Sequence, residues 1–129
     1  MADMLTFELV SPERKLASAE AEAVTVPGQE GDLTAMANHA PFLTTLRPGF
    51  VAVDGGASGR YFVLGGFAEI SNNTVSVLAE EAVEADKLDR AWLNKKLADA
   101  ERLLSEAGEE RAQGALQRLN DLRAVESQL

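Results

Sequence analysis

Near residue 85 the hydrophobic period of this chain changes. Before it, apolar residues alternate at every second position: Leu5, Phe7 and Leu9 are separated by Thr6 and Glu8. After it, Leu93, Leu97, Ala100, Leu104 and Ala107 recur at spacings of four and three. A pleated strand turns its side chains over at each residue, whereas a helix returns to one face every 3.6 residues. Eight of the ten glycines lie before the change and two after it. The chain therefore reads as a β module over 1–85 followed by a helical hairpin over 86–129, within 129 residues.

Turn residues cut the first part into short strands. Leu5–Val10 ends at Ser11-Pro12-Glu13, because Pro12 cannot donate to a ladder. Strands are then expected at Lys15–Ser18, Glu22–Val26, Leu33–Met36, Phe42–Leu46, Phe50–Val53, Tyr61–Leu64, Phe67–Ser71 and Thr74–Leu78. Pro27-Gly28, Asn38-His39-Ala40-Pro41, Arg47-Pro48-Gly49 and the flexible tip Asp54–Gly59 separate them. Tyr61–Leu64 is a continuous apolar run, which predicts burial on both faces. Gly65-Gly66 suits a bulge or a close backbone approach. Asn72-Asn73 suits a two-residue hairpin turn, since asparagine tolerates positive φ. Short strands at such intervals predict an antiparallel sandwich or barrel.

Glu80–Ala85 reads as an acidic join. Asp86 is the expected N-cap, with a first helix from about Lys87 to Ala107 and Gly108 in the C′ position. A second helix is expected from about Glu109 to Glu126, with Ala115, Leu119, Leu122 and Val125 as its apolar stripe. The short connection makes the two antiparallel.

Charge narrows the partners. The net charge of −9 argues against nucleic acid and against direct binding to anionic lipid. Residues 86–129 hold eight of the twelve Lys and Arg, so mixed charge is concentrated in the hairpin. There is no cysteine, which removes disulfides and thiolate chemistry. The first five residues carry no basic segment and no long apolar run, so no secretory signal is expected. Nor is any stretch near the ~20 apolar residues that span a bilayer. A role at a membrane would have to come through other proteins.

No catalytic constellation emerges. His39 is the sole histidine, and with Glu30 and Asp32 it lacks any metal-ligand spacing. Any triad would depend on that one histidine, and no serine sits in a nucleophile elbow. Gly55-Gly56 and Gly65-Gly66 are followed by neither a Walker lysine nor a helix start. No catalytic residue, metal or bound cofactor is expected. Trp92 near the stripe of the first helix reads as packing.

Several stretches carry a resemblance. They are Val10-Ser11-Pro12-Glu13, Val24–Leu33 with Pro27-Gly28-Gln29-Glu30-Gly31-Asp32 at its centre, Asn38-His39-Ala40-Pro41-Phe42-Leu43-Thr44 and Arg47-Pro48-Gly49. Phe62–Ile70, Asn73–Ala79 and the junction Lys87-Leu88-Asp89 add to them. The chain resembles the epsilon-subunit family of bacterial rotary F-type ATP synthases, closely in the β part and more loosely in the hairpin.

The resemblance implies a ten-stranded antiparallel β-sandwich followed by a two-helix hairpin. It implies a non-catalytic central-stalk subunit that binds the gamma subunit, sits on the c-subunit ring and transiently meets the alpha and beta subunits. It would couple proton-driven rotation to ATP synthesis, peripherally, at the cytoplasmic face of the inner membrane. The c-ring contact would fall at one end of the sandwich, on Glu30, Gly31, Asp32 and the turn carrying His39.

In many relatives the hairpin is regulatory. ATP-sensing ones carry Ile/Leu-Asp-x-x-Arg-Ala at its start. Here Leu88-Asp89 is followed at once by Arg90-Ala91, with Trp92-Leu93 where Arg-Ala would stand. Asp89 and Arg90 would thus support at most weak ATP binding. Inhibitory relatives present a basic last helix. Here Arg111, Arg118 and Arg123 are offset by Glu109, Glu110, Asp121 and Glu126, which predicts weak inhibition of hydrolysis. The competing readings are a nucleotide-sensing binding module and a small enzyme built on His39, Glu30 and Asp32.

Overall fold

A computed structural model describes residues 4–38, 40–55 and 59–126. The chain divides into two compact units, Met1–Ala85 and Asp86–Leu129. In the first, alternating apolar residues form β1 (Leu5–Val10), β2 (Lys15–Ala21), β3 (Ala23–Gly28), β4 (Gly31–Met36) and β5 (Phe42–Leu46). There follow β6 (Gly49–Asp54), β7 (Gly59–Val63), β8 (Gly66–Ile70), β9 (Thr74–Ala79) and β10 (Ala82–Glu84).

All ten strands belong to one hydrogen-bonded sheet, which runs β10-β7-β6-β3-β5-β8-β9-β1-β2 with β4 on the other side of β3. It folds at the single pairing of Gly28 with Leu46 into two five-stranded layers, β4-β3-β6-β7-β10 and β5-β8-β9-β1-β2. The inner positions of both layers form the core. Leu5, Phe7 and Leu9 are buried while Thr6 between them is exposed. Phe7 of one layer meets Tyr61 of the other with ring centroids 6.1 Å apart. Burying each large apolar side chain stabilises the fold by roughly 1.5–3 kcal/mol relative to leaving it in water.

The expected boundaries shift where side chains are small or polar. β2 continues to Ala21, through Ala19 and Glu20, where little hydrophobic contrast marks a strand. Pro27 and Gly28 close β3 instead of turning the chain, and the turn is Gln29-Glu30. The absent N–H of Pro27 costs nothing because the β3–β6 ladder covers only Ala23–Thr25. Phe62 and Val63 are both fully buried, as the apolar run requires. Ser71 donates its N–H to Thr74 O at 2.9 Å, closing a two-residue turn at Asn72-Asn73. Neither asparagine has positive φ, however; among the described non-glycine residues only Asn38 does, at 66°. The ladders are antiparallel except β1 with β9, which run parallel, as strands not joined by a hairpin are free to do.

The acidic join is not unstructured. Ala82–Glu84 forms β10 against β7, and Ala85–Lys87 makes one 3₁₀ turn. In the second unit, α1 (Arg90–Glu106) and α2 (Glu109–Glu126) form the hairpin. The N-cap of α1 is Asp89, not Asp86: the Asp89 carboxylate accepts the Trp92 N–H at 2.8 Å. Gly108 stands at C′, as expected, but without the positive φ of a left-handed cap. Ala107 leaves α1 in an extended conformation, and Gly108 O accepts the N–H groups of Arg111 and Ala112, opening α2. Leu93, Leu97 and Ala100 on α1 and Leu119, Leu122 and Val125 on α2 are buried, on the stripes that the spacing predicts.

One position in the sheet admits only glycine. At φ +129°, a Cβ on Gly66 would lie 2.0 Å from the carbonyl oxygen of Leu78, a backbone atom that cannot yield. Gly66→Ala is expected to destabilise the β unit by roughly 3 kcal/mol or more, read from urea unfolding of the sheet by circular dichroism. A loss below ~1 kcal/mol would show that β8 and β9 can separate locally.

Candidate functional site

The loop that carries Glu30, Gly31 and Asp32 is the tip of the β3–β4 hairpin, and one arginine ties it down. Arg47 lies in the β5–β6 connection. Its N–H donates to Pro27 O at 3.1 Å and its Nε to Gly28 O at 3.2 Å. Its guanidinium meets Asp32 Oδ1 at 2.7 Å. Gln29 N–H donates to Thr45 O at 3.0 Å, from the same side. Arg47 thus holds both limbs of the hairpin, β3 through two carbonyls and β4 through a carboxylate. Gly31, at φ +137°, completes the reversal in a conformation that other residues rarely adopt. Glu30 is exposed and makes no ion pair with any described residue.

The turn at 37–41 lies elsewhere. β4 runs from Gly31 to Met36, a rise of roughly 17 Å. The Glu30 loop and Asn38 therefore flank β4 at opposite ends. His39 itself lies outside the described residues. Its neighbour Asn38 donates its N–H to Asn72 O at 2.6 Å and to Asn73 Oδ1 at 3.2 Å. That turn is thereby fastened to the β8–β9 turn.

At the Glu30 end the outer face of the second layer carries an apolar row that periodicity alone did not single out. Val10, Leu78 and Phe67 face outward on β1, β9 and β8, in register with Thr45 on β5. Phe67 is 45% and Leu78 42% exposed, so neither belongs to the core. The signal was present in parity: on β8 and β9 the inward positions are Ala68, Ile70, Val75 and Val77, which leaves Phe67 and Leu78 outside. With Ser11, Pro12 and Glu80 they line an open depression. A second apolar groove, with Leu33, Phe42 and Leu43, opens where β4 and β5 diverge.

On the hairpin, Asp89 is occupied as a helix cap and Arg90 opens the first turn of α1. Arg111 and Arg118 line one depression of the hairpin, whereas Arg123 lies 3.6 Å from Glu101 on α1; Arg111 and Arg123 are exposed and Arg118 is half-buried. No group of three or more His, Cys, Asp or Glu is disposed to hold a metal among the described residues. No described helix is long and apolar enough to cross a membrane.

Residues 4–85 match a family described as the ATP synthase Delta/Epsilon chain beta-sandwich domain. An ATP synthase epsilon chain of Cereibacter sphaeroides (strain ATCC 17025) is 48% identical over 126 residues, covering 97% of this chain and 96% of that one. The ATP synthase epsilon chain of Ruegeria sp. (strain TM1040) is 49% identical over 117 residues, covering 90% and 85%. Among solved structures, a chain of the Euglena gracilis mitochondrial ATP synthase assembly of OSCP, F1 and c-ring superposes with a TM-score of 0.70 at 25% identity. That match covers 95% of this chain and 81% of the other. A chain of the Tetrahymena thermophila mitochondrial central stalk and c-ring shares the fold, with a TM-score of 0.54 at 17% identity over 89% of this chain.

The two roles open to Asp89 separate experimentally. Asp89→Ala is expected to lower hairpin stability by about 1 kcal/mol, and Asp89→Ser to restore most of it, because serine also caps. Thermal melting followed at Trp92 measures both. Failure of serine to restore stability would argue for a role beyond capping.

Proposed function

The chain belongs to the epsilon-chain family of ATP synthases, non-catalytic subunits of the complex, and from that premise we propose that it is a rotor subunit of the central stalk. It would bind the gamma subunit, rest on the c-subunit ring and transmit proton-driven rotation to the catalytic head. Other subunits would hold it peripherally at the cytoplasmic face of the bacterial inner membrane.

One observation carries this reading: an exposed apolar row and a tethered acidic loop stand at the same end of a rigid sandwich. Rotation can be transmitted only through surfaces that do not yield under load. The row of Val10, Leu78 and Phe67 suits an apolar contact with gamma, where burial of aromatic and aliphatic anchors gives most of the affinity. The Glu30 loop suits a polar contact with the ring, where charge sets register more than strength.

The hairpin would regulate weakly. The Asp89 carboxylate, which would be needed at a nucleotide, is engaged as a cap, and this supports the absence of tight ATP binding. The charges of α2 are mixed, and Arg123 is answered within the hairpin by Glu101, which leaves a weaker field for an acidic surface on the beta subunit.

Affinity capture of the tagged full chain from solubilised membranes is expected to recover gamma, alpha, beta and the c ring together. Recovery of none would refute the rotor reading. In the captured complex, removing residues 88–129 is expected to raise ATP hydrolysis less than about twofold, since weak restraint stores well under 1 kcal/mol. Release by tenfold or more would make the hairpin a strong inhibitor. Saturable, tight ATP binding to the isolated chain, seen in Trp92 fluorescence, would favour a nucleotide sensor instead.

A further inference from the structure

We infer that the helical hairpin opens from its tip: residues 101–118 unfold locally while the base, closed by Leu93, Leu97, Leu119, Leu122 and Val125, stays shut. The consequence for the complex rests on the reading of the hairpin as a weak regulator.

Burial divides the hairpin in two. Leu93, Leu97 and Ala100 on α1 and Leu119, Leu122 and Val125 on α2 are buried, and all lie toward the base. Between Ala100 and Leu119 no residue is buried, through the end of α1, the connection and the first half of α2. The inner stripe narrows there to Leu104, Ala107, Ala112 and Ala115, each only half-buried. Leu103 is 51% and Leu116 44% exposed, so these two leucines add little to the packing. An open depression lined by Leu103, Gly108, Gly114 and Ala115 lies along the same stretch.

The backbone points the same way. Gly114 stands inside α2, where glycine disfavours the helix roughly fivefold relative to alanine. A Cβ at Gly114 would meet nothing, so no close packing demands the glycine. α1 ends on Glu106 with no basic residue in its last turn, against the helix dipole. Glu109 and Glu110 favour the first turn of α2, but exposed charges act weakly. A helical segment as short as either arm of the tip is marginal in water unless a packed face supports it. The base has such a face and the tip lacks it, so the tip opens at a lower free energy.

A hairpin whose tip is partly open can press on a partner only through its closed fraction. Its apparent affinity falls by that fraction, and ordering the tip opposes every docking event. Weak restraint of hydrolysis then has a physical cause inside the hairpin, beyond the mixed charges of α2.

The test is amide hydrogen exchange of the purified full chain, beside ATP hydrolysis by membranes rebuilt with it. In the parent, the amides of residues 113–116 should exchange roughly tenfold or more faster than those of Leu119 and Leu122. Gly114→Ala places one methyl group in open space, so it leaves the fold intact. It should slow the tip amides roughly fivefold and leave Leu119 and Leu122 unchanged. Val125→Ala, at the base, should speed exchange at Leu122 and leave the tip amides as in the parent. In the rebuilt complex, Gly114→Ala should lower ATP hydrolysis by roughly twofold, because more tips are closed.

The proposal is overturned if the parent protects tip and base alike, or if Gly114→Ala slows Leu122 as much as the tip. It is overturned too if a stiffened tip leaves hydrolysis unchanged in a complex that loss of residues 88–129 does release. If that deletion has no effect on hydrolysis, the regulatory reading falls, and exchange in the free chain alone decides where the hairpin opens.

Discussion

Among the described residues the strand ladders of the two layers meet at one place, where Gly28 faces Leu46. Gln29 N–H reaches Thr45 O and Arg47 N–H reaches Pro27 O, and among the described residues no other ladder joins β3 to the second layer. From that junction the chain can treat one continuous sheet as two faces of a core. The first layer extends through β6 and β7, the second through β8 and β9, and the inner positions of both close on each other. The junction also fixes what lies beside it. The β3–β4 hairpin projects from it, and the β5–β6 connection crosses its base. The loop is therefore anchored by the same bonds that hold the layers together.

That arrangement explains why an interaction surface can be rigid in a small domain. The loop itself buries little. It gains order from a junction whose neighbours, Val26, Pro27, Leu46, Pro48 and Gly49, are all buried. The apolar row runs along a sheet face, where side-chain directions are set by the pleat and outward residues need no loop to hold them. Both surfaces inherit their geometry from the core.

The sequence made the architecture legible wherever polarity alternated strongly. The β1, β5 and β9 segments and the stripes of both helices are visible in the spacing of Leu, Val, Ile and Ala. It was least informative where backbone geometry decides. Asp86 and Asp89 are equally good caps by composition, and only the carboxylate geometry at Trp92 selects Asp89. β10 is three half-buried residues in an acidic stretch, defined by its pairing with β7. Only the family resemblance groups the Glu30 loop with the turn carrying His39. That Glu30 and Asn38 stand at opposite ends of β4 follows from strand direction, which no local pattern encodes. Arg47 was visible only as part of a turn, since a side chain that binds backbone carbonyls leaves no periodic trace.

The parallel pairing of β1 with β9 has a consequence in time. Thr6 lies beside Thr74 and Val10 beside Leu78, so the first strand to be made waits for nearly the last before one of its edges is covered. At ~5–20 residues per second, synthesis of the intervening chain takes several seconds. Through that interval β1 has no neighbour on the edge that β9 will cover, although β3, β4, β6 and β7 of the opposing layer are already made. Contacts so distant in sequence also close slowly once the chain is complete. The sandwich is thus open to mispairing early in its life, at a strand that supplies three of its largest buried side chains.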